Sequence, residues 1–425
     1  MGFYMDKVYQ VVFYAFSFVS LYVQVFFLIV FLEKRKEILV RTKRIELPEY
    51  PSVSITIPAY NESKNIEKTV QSLLELDYPK EKLFINIVDD GSTDDTWEVM
   101  QQYKNNSQIK LFRQENGGKF AANNLGLKNS ATPFVGCLDA DSMVHPEALK
   151  RIMTYFDNTD VMAVASTIVI HNPKSVLQKA QRVEYEFSIF VKKMLSFIDA
   201  IHVTPGPFSI FRKEVFEKLG PYRHAHNTED QEIAMRMKAA KMKIEHAPDA
   251  YVYTLGPHKV RGLFKQRVRW IYGFIRNSLD YKKLLFRHEY GNIGFITLPS
   301  GIISILSVIF LFSYVLYNLS SFVARKVTEY QTVGFSWDFT LPELGIFSVP
   351  SHSVFFITVF VYLAVFASLF IGQTIRHGKV KLSFDIFYFF FIYSLIAPFW
   401  LMRSIYNAIR NYEASWTRER DTRGI

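Results

Sequence analysis

The feature that most constrains this chain is the segment Val8 to Phe31, which contains no charged residue. It is longer than the ~20 apolar residues that a helix needs to cross a hydrocarbon core of about 30 Å. A cleaved signal peptide is the alternative. The run is too long for a signal core, however, and Glu33-Lys34-Arg35-Lys36 follows it without a small-residue cleavage site. The sequence therefore favours a retained membrane helix over residues 1–34.

Three further long apolar segments lie in the C-terminal third, at about 294–317, 353–374 and 385–402. We predict about three membrane spans within residues 286–405, a loop outside the bilayer over 318–352 and a basic tail over 406–425. One N-terminal span and three later spans would place both termini on the side opposite the intervening domain. The arginine-rich tail instead indicates a cytoplasmic C-terminus, which leaves open that one C-terminal segment is re-entrant or interfacial.

The chain has a formal net charge of +10, and its basic residues cluster beside the apolar segments. The clusters are Lys34 to Lys36, Arg41 to Arg44, Arg376 to Lys381 and Arg403 to Arg423. Cytoplasmic flanks that meet anionic lipid headgroups have this pattern. The basic residues form no motif with interleaved aromatics, so nucleic acid is not expected as a partner. We expect a multi-pass protein of the cell membrane whose middle domain is cytoplasmic.

Residues 35–285 alternate strand and helix patterns, as in a soluble α/β domain. The predicted strands are Val53 to Ile57, Leu83 to Val88, Ile109 to Phe112 and Phe134 to Leu138. Helices are predicted over 62–76 and 93–104, the second with Ser92 or Thr93 as its N-cap. This order predicts a mainly parallel sheet covered by helices. Ligands bind beyond the carboxyl ends of the strands in such sheets.

A pair of carboxylates, Asp139 and Asp141, directly follows the fourth predicted strand. Two carboxylates at a strand end can converge on one hard cation, which prefers oxygen ligands. A Mg²⁺ or Mn²⁺ ion held there would bridge the phosphates of a nucleotide-sugar. Taken alone, a D-x-D pair is more often a solvated loop, and only its surroundings in the chain favour a metal site.

Other polar motifs follow in order along the chain. They are Pro58-Ala59-Tyr60-Asn61-Glu62, Asp89-Asp90-Gly91-Ser92, Asn116-Gly117-Gly118-Lys119, Thr228-Glu229-Asp230 and Gln266-Arg267-Val268-Arg269-Trp270. Gln266, Arg269 and Trp270 are spaced i, i+3 and i+4, so they share one face of a helix. An amide, a guanidinium and an indole on one face can cover a diphosphate and an acceptor sugar. The alternative is a basic amphipathic helix on the membrane surface. The two interpretations are compatible, because one helix can bind substrate and also lie on the membrane.

The ordered set Asp90, Asp139-x-Asp141, Asp230 and Gln266-x-x-Arg269-Trp270 resembles the pattern of the processive membrane glycosyltransferases of family 2. This group includes cellulose, chitin, hyaluronan and poly-N-acetylglucosamine synthases. The resemblance covers roughly residues 50–275. It implies a nucleotide-sugar-binding domain of the GT-A type over residues 35–285 that ends in an amphipathic interface helix, together with a membrane region of α-helices.

The resemblance also implies roles for individual residues. Pro58, Ala59, Tyr60, Asn61, Glu62 and Asp90 would line the uridine pocket, and Lys119 would lie near the nucleotide. Asp139 and Asp141 would bind the metal and the diphosphate. Asp230 would be the general base. Gln266, Arg269 and Trp270 would hold the diphosphate and the acceptor end. Thr204, Pro205 and Gly206, ahead of a strand at Phe208 to Phe211, resemble the acceptor-side loop of the family.

The expected reaction is the inverting transfer of a sugar from a nucleotide-sugar, favoured as UDP-N-acetylglucosamine, to a growing β-linked polysaccharide. We expect this transfer to be coupled to passage of the polymer across the membrane. The expected partners are the donor, a polysaccharide or lipid-linked acceptor, membrane lipid and accessory export subunits. Two alternatives stay open: a transferase that adds one sugar to a lipid carrier or glycolipid, and a non-catalytic transporter subunit or scaffold.

Four side chains near these motifs have simpler interpretations. The single cysteine, Cys137, lies in an apolar run and is expected to be a buried core thiol. Glu229 either tunes the proton affinity of Asp230 or caps a helix that begins near Gln231, and capping is slightly favoured. His145 is expected to be structural. His258 precedes the Gln266 helix, where a gating loop is one interpretation.

Overall fold

The computed structural model describes residues 2–43, 46–334 and 353–413. The strands are β1 (Val53–Ala59), β2 (Leu83–Asp89), β3 (Ile109–Arg113), β4 (Phe134–Cys137), β5 (Ser142–Val144), β6 (Val161–Ile170), β7 (Ser209–Arg212) and β8 (Lys243–Thr254). The helices before the membrane region are α1 (Gly2–Lys43), α2 (Ile66–Leu74), α3 (Thr96–Gln101), α4 (Lys119–Lys128), α5 (Ala148–Met153), α6 (Val176–Phe197), α7 (Glu214–Leu219), α8 (Glu229–Ala239) and α9 (Val260–Asp280). The remaining helices are α10 (Leu298–Val333), α11 (Ser353–His377) and α12 (Phe384–Arg410).

The strands form one 8-stranded sheet in the order β3-β2-β1-β4-β7-β6-β8-β5. The neighbours β3-β2, β2-β1, β1-β4 and β6-β8 are parallel, and the other three pairs are antiparallel. The prediction of a mostly parallel α/β sheet is confirmed. In the antiparallel β4-β7 pair, Cys137 lies opposite Ser209, so the loop before β7 meets the carboxyl end of β4. This register brings the loop 204–206 to the same edge of the sheet as Asp139.

Helices cover both faces of the sheet. One face packs against α2 and α5, in a cluster that joins Ile55 and Ile57 of β1 to buried residues such as Leu73 and Ile152. The opposite face packs against α6, α7 and α8 in a second cluster. Every residue of β1 is buried, as expected for a central strand covered on both sides.

Helix α4 approaches the sheet closely through Gly126. A Cβ atom at this position would lie 2.2 Å from Thr56 Oγ1 and 2.8 Å from Thr56 Cβ, in the middle of β1. Because Thr56 is β-branched and buried, it has little freedom to yield. The absence of a side chain at Gly126 therefore fixes how near α4 lies to β1.

The predicted N-cap of α3 is wrong. The helix begins at Thr96, and its N-cap is Asp95, which makes no side-chain cap hydrogen bond. Ser92 instead accepts a hydrogen bond from the Asn61 backbone N–H at 3.0 Å. Several polar residues after β2 could cap a helix. Ser92 does not cap α3, because its hydroxyl is used by the loop at Asn61.

Within the described residues, four helices are long and apolar enough to cross a membrane. They span Val11–Ile38, Ile293–Thr332, Phe355–His377 and Phe384–Arg410. The expectation of a loop from residue 318 is wrong for its first part, because α10 continues as a helix to Val333. The rest of that expected loop, 335–352, lies outside the described residues, as do Arg44 and the tail from 414 onward.

The second half of α1 packs directly on the α/β domain. Phe27, Val30 and Ile38 belong to the same buried cluster as Phe190 and Met194 of α6. The first long apolar helix is thus anchored to the sheet through α6.

Candidate active site

The loops that follow β1 and β2 are joined by backbone-to-side-chain hydrogen bonds. The Asn61 N–H donates to Ser92 Oγ at 3.0 Å, and the Glu62 N–H donates to Thr96 Oγ1 at 2.8 Å. Asn61 has a φ of 56°, in the left-handed region that asparagine tolerates better than most residues. These hydrogen bonds restrain the segment 58–62 at the carboxyl edge of the sheet. The segment was predicted to line a nucleotide pocket.

Asp90 shapes the turn that leads into α4. Its side chain is buried, and Oδ1 accepts hydrogen bonds from Gln114 Nε2 at 2.6 Å and from the Gly117 N–H at 3.0 Å. Its Oδ2 accepts one from the Gly118 N–H at 2.9 Å. Gly118 has a φ of 87°, which side-chain-bearing residues rarely adopt. The turn places Lys119 at the first position of α4, and the predicted uridine contact of Asp90 stays a prediction.

Lys119 lies between two carboxylates that are distant in sequence. Its Nζ is 2.7 Å from Asp139 Oδ1 and 3.3 Å from Glu229 Oε1. Burial by itself would lower the pKa of this ammonium, but Asp139 and Glu229 raise the pKa above its ordinary value. Lys119 is therefore a permanent positive charge, joining the end of β4 to the start of α8.

Asp230 lies beside the loop 204–206, which was predicted to be on the acceptor side. Its Oδ2 accepts a hydrogen bond from the Gly206 N–H at 3.3 Å, and its backbone carbonyl accepts one from Thr204 Oγ1 at 2.9 Å. Burial and the neighbouring Glu229 carboxylate raise the pKa of Asp230, while Lys119 and Arg269 oppose the shift. A raised pKa makes a carboxylate a stronger base once it is ionised.

The chain leading to Asp230 has an unusual backbone. Ala225, His226 and Asn227 are consecutive residues with φ of 45°, 58° and 59°. Non-glycine residues in this region are held there by their surroundings at an energetic cost, and such residues cluster at functional sites. Arg269 supplies one restraint, because its Nη1 donates to the Asn227 carbonyl at 2.8 Å.

Helix α9 packs closely on the start of α8. A Cβ at Gly273 would lie 2.3 Å from Thr228 Oγ1, and Asn277 Nδ2 donates to this same oxygen at 2.9 Å. Arg269, Gly273 and Asn277 are spaced four residues apart and form one stripe of α9. This stripe positions the segment that carries Asp230.

Trp270 packs against Arg267 of the same helix. The guanidinium carbon of Arg267 lies 4.4 Å from the centroid of the Trp270 ring. Arg267 is buried, and its Nη2 lies 2.6 Å from Glu184 Oε2 of α6. Gln266 Oε1 is also buried, and it has no hydrogen-bond partner within the described part of the chain.

Residues 54–220 match the family model described as Glycosyl transferase family 2. The chain contains a family 2 glycosyltransferase domain. It is 33% identical over 231 residues to the poly-beta-1,6-N-acetyl-D-glucosamine synthase of Staphylococcus epidermidis, with 54% of this chain and 56% of that protein covered. The corresponding synthase of Staphylococcus aureus (strain COL) is 33% identical over 232 residues, with the same coverage of 54% and 56%. The chain spans about half the length of the curated relatives it matches.

A solved structure with a similar fold is the mannosyltransferase PcManGT from Pyrobaculum calidifontis, in complex with GDP-Man and Mn²⁺. The TM-score is 0.52 at 17% sequence identity, and the match covers 84% of this chain and 99% of that chain. At this identity the likeness concerns the fold alone. The predicted GT-A fold and the predicted enzyme class are both confirmed.

A divalent cation whose remaining ligands come from substrate and water would need only one or two carboxylates from this domain. No group of three or more His, Cys, Asp or Glu side chains able to hold a metal occurs within residues 2–43, 46–334 and 353–413. Mg²⁺ is usually bound by one or two carboxylates together with substrate phosphates and water. The pair Asp139 and Asp141, at the end of β4, matches this smaller requirement.

The structure joins Lys119 to Asp139, Asp230 to Thr204 and Gly206, and Arg269 to the segment before Asp230. It also corrects one interpretation. Glu229 is the first residue of α8, whose N-cap is Thr228, and its carboxylate contacts Lys119. The favoured capping role is therefore wrong. The sequence analysis did not predict Thr228, Gly273 or Asn277 as site residues. Gly273 and Asn277 could have been found, because they follow Arg269 by four and eight residues and so lie on the same face of the helix.

Cys137 is a structural thiol. It is buried, its Sγ donates to the Gly206 carbonyl at 3.0 Å, and burial raises the pKa of the thiol to about 12. A thiol with such a pKa is a poor nucleophile at neutral pH. The predicted core role of Cys137 is confirmed.

Proposed function

We propose that this protein transfers N-acetylglucosamine from a UDP-linked donor to a hydroxyl of a growing β-linked polysaccharide, with inversion at the anomeric carbon. The observation that carries the proposal is the position of Asp230. Its carboxylate accepts a hydrogen bond from the Gly206 N–H. Gly206 also lies beside the ion pair, because a Cβ there would be 2.4 Å from Lys119 Nζ and 3.1 Å from Asp139 Oδ1. The similarity to two poly-beta-1,6-N-acetyl-D-glucosamine synthases supports the choice of sugar and product.

Asp230 would act as the general base. A sugar hydroxyl is a weak nucleophile at neutral pH, so its proton must pass to a positioned carboxylate as the oxygen attacks. The raised pKa of Asp230 strengthens this carboxylate as a base. Attack on the side opposite the diphosphate makes the new C–O bond as the old one breaks, and an α-linked donor then yields a β-linkage.

Positive groups around the site would receive the departing diphosphate. Lys119 and Arg269 are two cationic side chains beside Asp230, and both lower its pKa through their charge. A divalent cation bound by Asp139 and Asp141 would supply further charge neutralisation for the leaving group. The fixed loop 58–62 and the buried Asp90 would form the wall of the nucleotide pocket.

Trp270 would hold the acceptor end of the polymer. Aromatic rings stack on sugar rings without fixing one register, which suits an acceptor that moves after each addition. Arg267 packs on this ring and is itself anchored to α6 through Glu184. With the catalytic domain in the cytoplasm and helices such as α10 and α11 in the bilayer, the product would leave through the membrane region, with or without accessory export subunits.

The size of the product distinguishes a polysaccharide synthase from a transferase that adds one sugar to a lipid acceptor. Membranes that contain the full chain should incorporate label from UDP-[¹⁴C]N-acetylglucosamine with Mg²⁺ into a polymer of many residues, degradable by a glycosidase specific for β-linked N-acetylglucosamine. Label confined to an organic-extractable product of one added sugar would instead establish a glycolipid transferase. Incorporation only from a different nucleotide-sugar would overturn the choice of donor.

The Glu229 carboxylate should shift the acidic limb of the pH profile of kcat/KM to higher pH, through its effect on the pKa of Asp230. Asp230 must be ionised to accept a proton, so kcat/KM falls as pH drops through its raised pKa. Because Glu229 raises this pKa, Glu229→Gln should move the acidic limb to lower pH. The matched control is Glu217→Gln on α7, an exposed residue that should leave the limb unchanged. An acidic limb that stays in place or moves upward in Glu229→Gln would contradict the coupling.

A further inference from the structure

The connection from α9 to α10 presents an exposed phenylalanine on a strained backbone. Phe286 is 67% exposed and has a φ of 54°. A bulky residue in the left-handed region is an outlier, and such strain persists only where the surrounding structure imposes it. The segment 282–291 is called the Phe286 loop below. Its backbone strain holds an apolar ring outside the core of the protein.

Buried contacts fix the conformation of the Phe286 loop. Leu284 is fully buried, in one cluster with Phe274 of α9 and Leu298 of α10. The Phe286 N–H donates to the Gly294 carbonyl at 3.2 Å. A Cβ at Gly294 would lie 2.0 Å from the Leu284 carbonyl oxygen, so this close approach of two backbone segments requires glycine. The exposure of Phe286 is therefore part of the fold.

Two further rings extend the exposed apolar surface. Phe295 is 39% exposed, and its ring centroid lies 6.2 Å from that of Phe286 and 4.8 Å from that of His288. Phe295 belongs to the helical turn Ile293–Thr297, which begins the candidate membrane span Ile293–Thr332. The exposed ring of Phe286 is thus continuous with the surface of a helix that can enter hydrocarbon.

The rings are surrounded by positive charge. Lys282, Lys283 and Arg287 are exposed, and none of them forms an ion pair within residues 2–43, 46–334 and 353–413. Glu289 is the single acidic residue of the Phe286 loop. Exposed aromatic rings beside lysine and arginine are typical of segments that meet anionic lipid headgroups at the end of a membrane helix.

Helices α1 and α10 run antiparallel. The ring of Tyr9 lies 5.1 Å from that of Tyr314, and the ring of Phe16, further along α1, lies 5.5 Å from that of Phe310, further back along α10. Movement along α1 toward the catalytic domain is therefore movement back along α10 toward the Phe286 loop.

The Phe286 loop lies level with the point where α1 leaves hydrocarbon. Because helices rise equally per residue, equal steps from the contact of Tyr9 with Tyr314 bring Lys34 of α1 level with Glu289. Lys34 belongs to the charged group that follows the charge-free run of α1. Charged flanks of this kind lie among headgroups. The Phe286 loop is therefore at headgroup depth, on the side of the membrane that carries the catalytic domain.

We propose that the Phe286 loop is a binding site for anionic phospholipid headgroups, with the rings of Phe286 and Phe295 in the acyl-chain boundary and Lys282, Lys283 and Arg287 on the headgroup phosphates. A zwitterionic headgroup carries its own cation and leaves these three charges without a net counter-charge. The proposal concerns lipid alone and holds for any sugar that the active site transfers.

Quenching by labelled lipid tests the proposal. His288→Cys would carry a bimane fluorophore in the full chain, and the chain with only the buried Cys137 is the labelling control. Nanodiscs of phosphatidylcholine with one fifth phosphatidylglycerol would carry a nitroxide, at carbon 5 of an acyl chain, on either lipid at equal mole fraction. We expect labelled phosphatidylglycerol to quench at least about threefold more than labelled phosphatidylcholine, because three basic residues attract the anionic headgroup.

Salt separates charge attraction from simple proximity. At 1 M salt the Debye length is about 3 Å, so the difference between the two lipids should disappear. Equal quenching by the two lipids at low salt would overturn an anionic site. Absence of quenching by either lipid would show that the loop faces water or another protein, and would also overturn the proposal.

Removal of the three charges should remove the lipid preference. The triple variant Lys282→Gln, Lys283→Gln and Arg287→Gln is expected to bring quenching by phosphatidylglycerol down to the level of phosphatidylcholine. The matched control removes three exposed lysines on and around the edge strand β3 and the end of α4, and it should keep the preference; these are Lys104, Lys110 and Lys128. A preference that survives in the loop variant would contradict the proposed headgroup contacts.

The variant Phe286→Asn separates lipid contact from folding. Asparagine tolerates a φ of 54° better than phenylalanine does, so the midpoint of thermal unfolding should be unchanged or higher. Quenching by both lipids should fall, because the ring that holds the loop in the acyl-chain boundary is lost. Phe84→Thr, at an exposed position of β2, is the control and should quench like the unsubstituted loop. Undiminished quenching in Phe286→Asn would refute insertion of the ring.

Discussion

Asp230→Asn should lower the rate of sugar transfer by about 10²–10⁴-fold while leaving donor binding nearly intact. The amide cannot accept the hydroxyl proton, yet it keeps the size of the side chain and can still accept the hydrogen bond from the Gly206 N–H. Release of UDP and incorporation of labelled sugar measure the transfer rate. Equilibrium binding of UDP measures the donor site separately.

The matched control for this variant is Asp77→Asn, which removes an exposed carboxylate paired with Lys150 outside the site. It should transfer sugar at the rate of the unsubstituted protein. A rate for Asp230→Asn within a few-fold of that control would remove Asp230 from the role of general base. A parallel loss of UDP binding would assign its effect to the folding of the site instead.

Metal removal and the two D-x-D substitutions should have the second largest effect. EDTA is expected to abolish transfer, and Mg²⁺ or Mn²⁺ to restore it. Asp141→Asn should lower the rate by roughly 10²-fold and raise the metal concentration needed for half-maximal activity, because a charged ligand is lost. Asp139→Asn should do the same and also free Lys119 from its ion pair at 2.7 Å.

Titration of activity against Mn²⁺ concentration separates these outcomes. Asp160→Asn, at an exposed position on the loop before β6, serves as the control and should give the unsubstituted titration curve. Full activity in EDTA would contradict a metal-dependent mechanism. An unchanged metal requirement in Asp141→Asn would remove that residue from the metal site.

The parts of the fold that sequence predicts well are those set by local pattern. The strands at Val53, Leu83, Ile109 and Phe134 were predicted within two residues of their observed ends, because each is a short apolar run bounded by polar turns. The carboxyl ends of parallel strands lie at one edge of a sheet, so motifs that directly follow these strands are expected to lie close together. Asp139 and the segment 58–62 follow this logic.

Long-range contacts determined what the sequence could not predict. The role of Glu229 depends on Lys119, which is more than one hundred residues away and reaches it only because of the turn held by Asp90. The extension of α10 past residue 318 reflects helix propensity in a segment whose polarity suggested a loop. The position of α12 depends on α6, and hydropathy alone reports only that α12 is apolar enough to span.

The ion pairs of Lys119 have a consequence for how the enzyme meets its substrate. Before any nucleotide arrives, the Lys119 ammonium already offsets part of the negative charge of Asp139 and Glu229, so the resting site has its own counter-ion. A divalent cation that arrives with the donor would compete with Lys119 for Asp139. Donor binding would then exchange one ionic partner of Asp139 for another, and the released Lys119 would be available to the phosphates of the donor. The empty site would then bind free metal more weakly than it binds the metal–nucleotide complex.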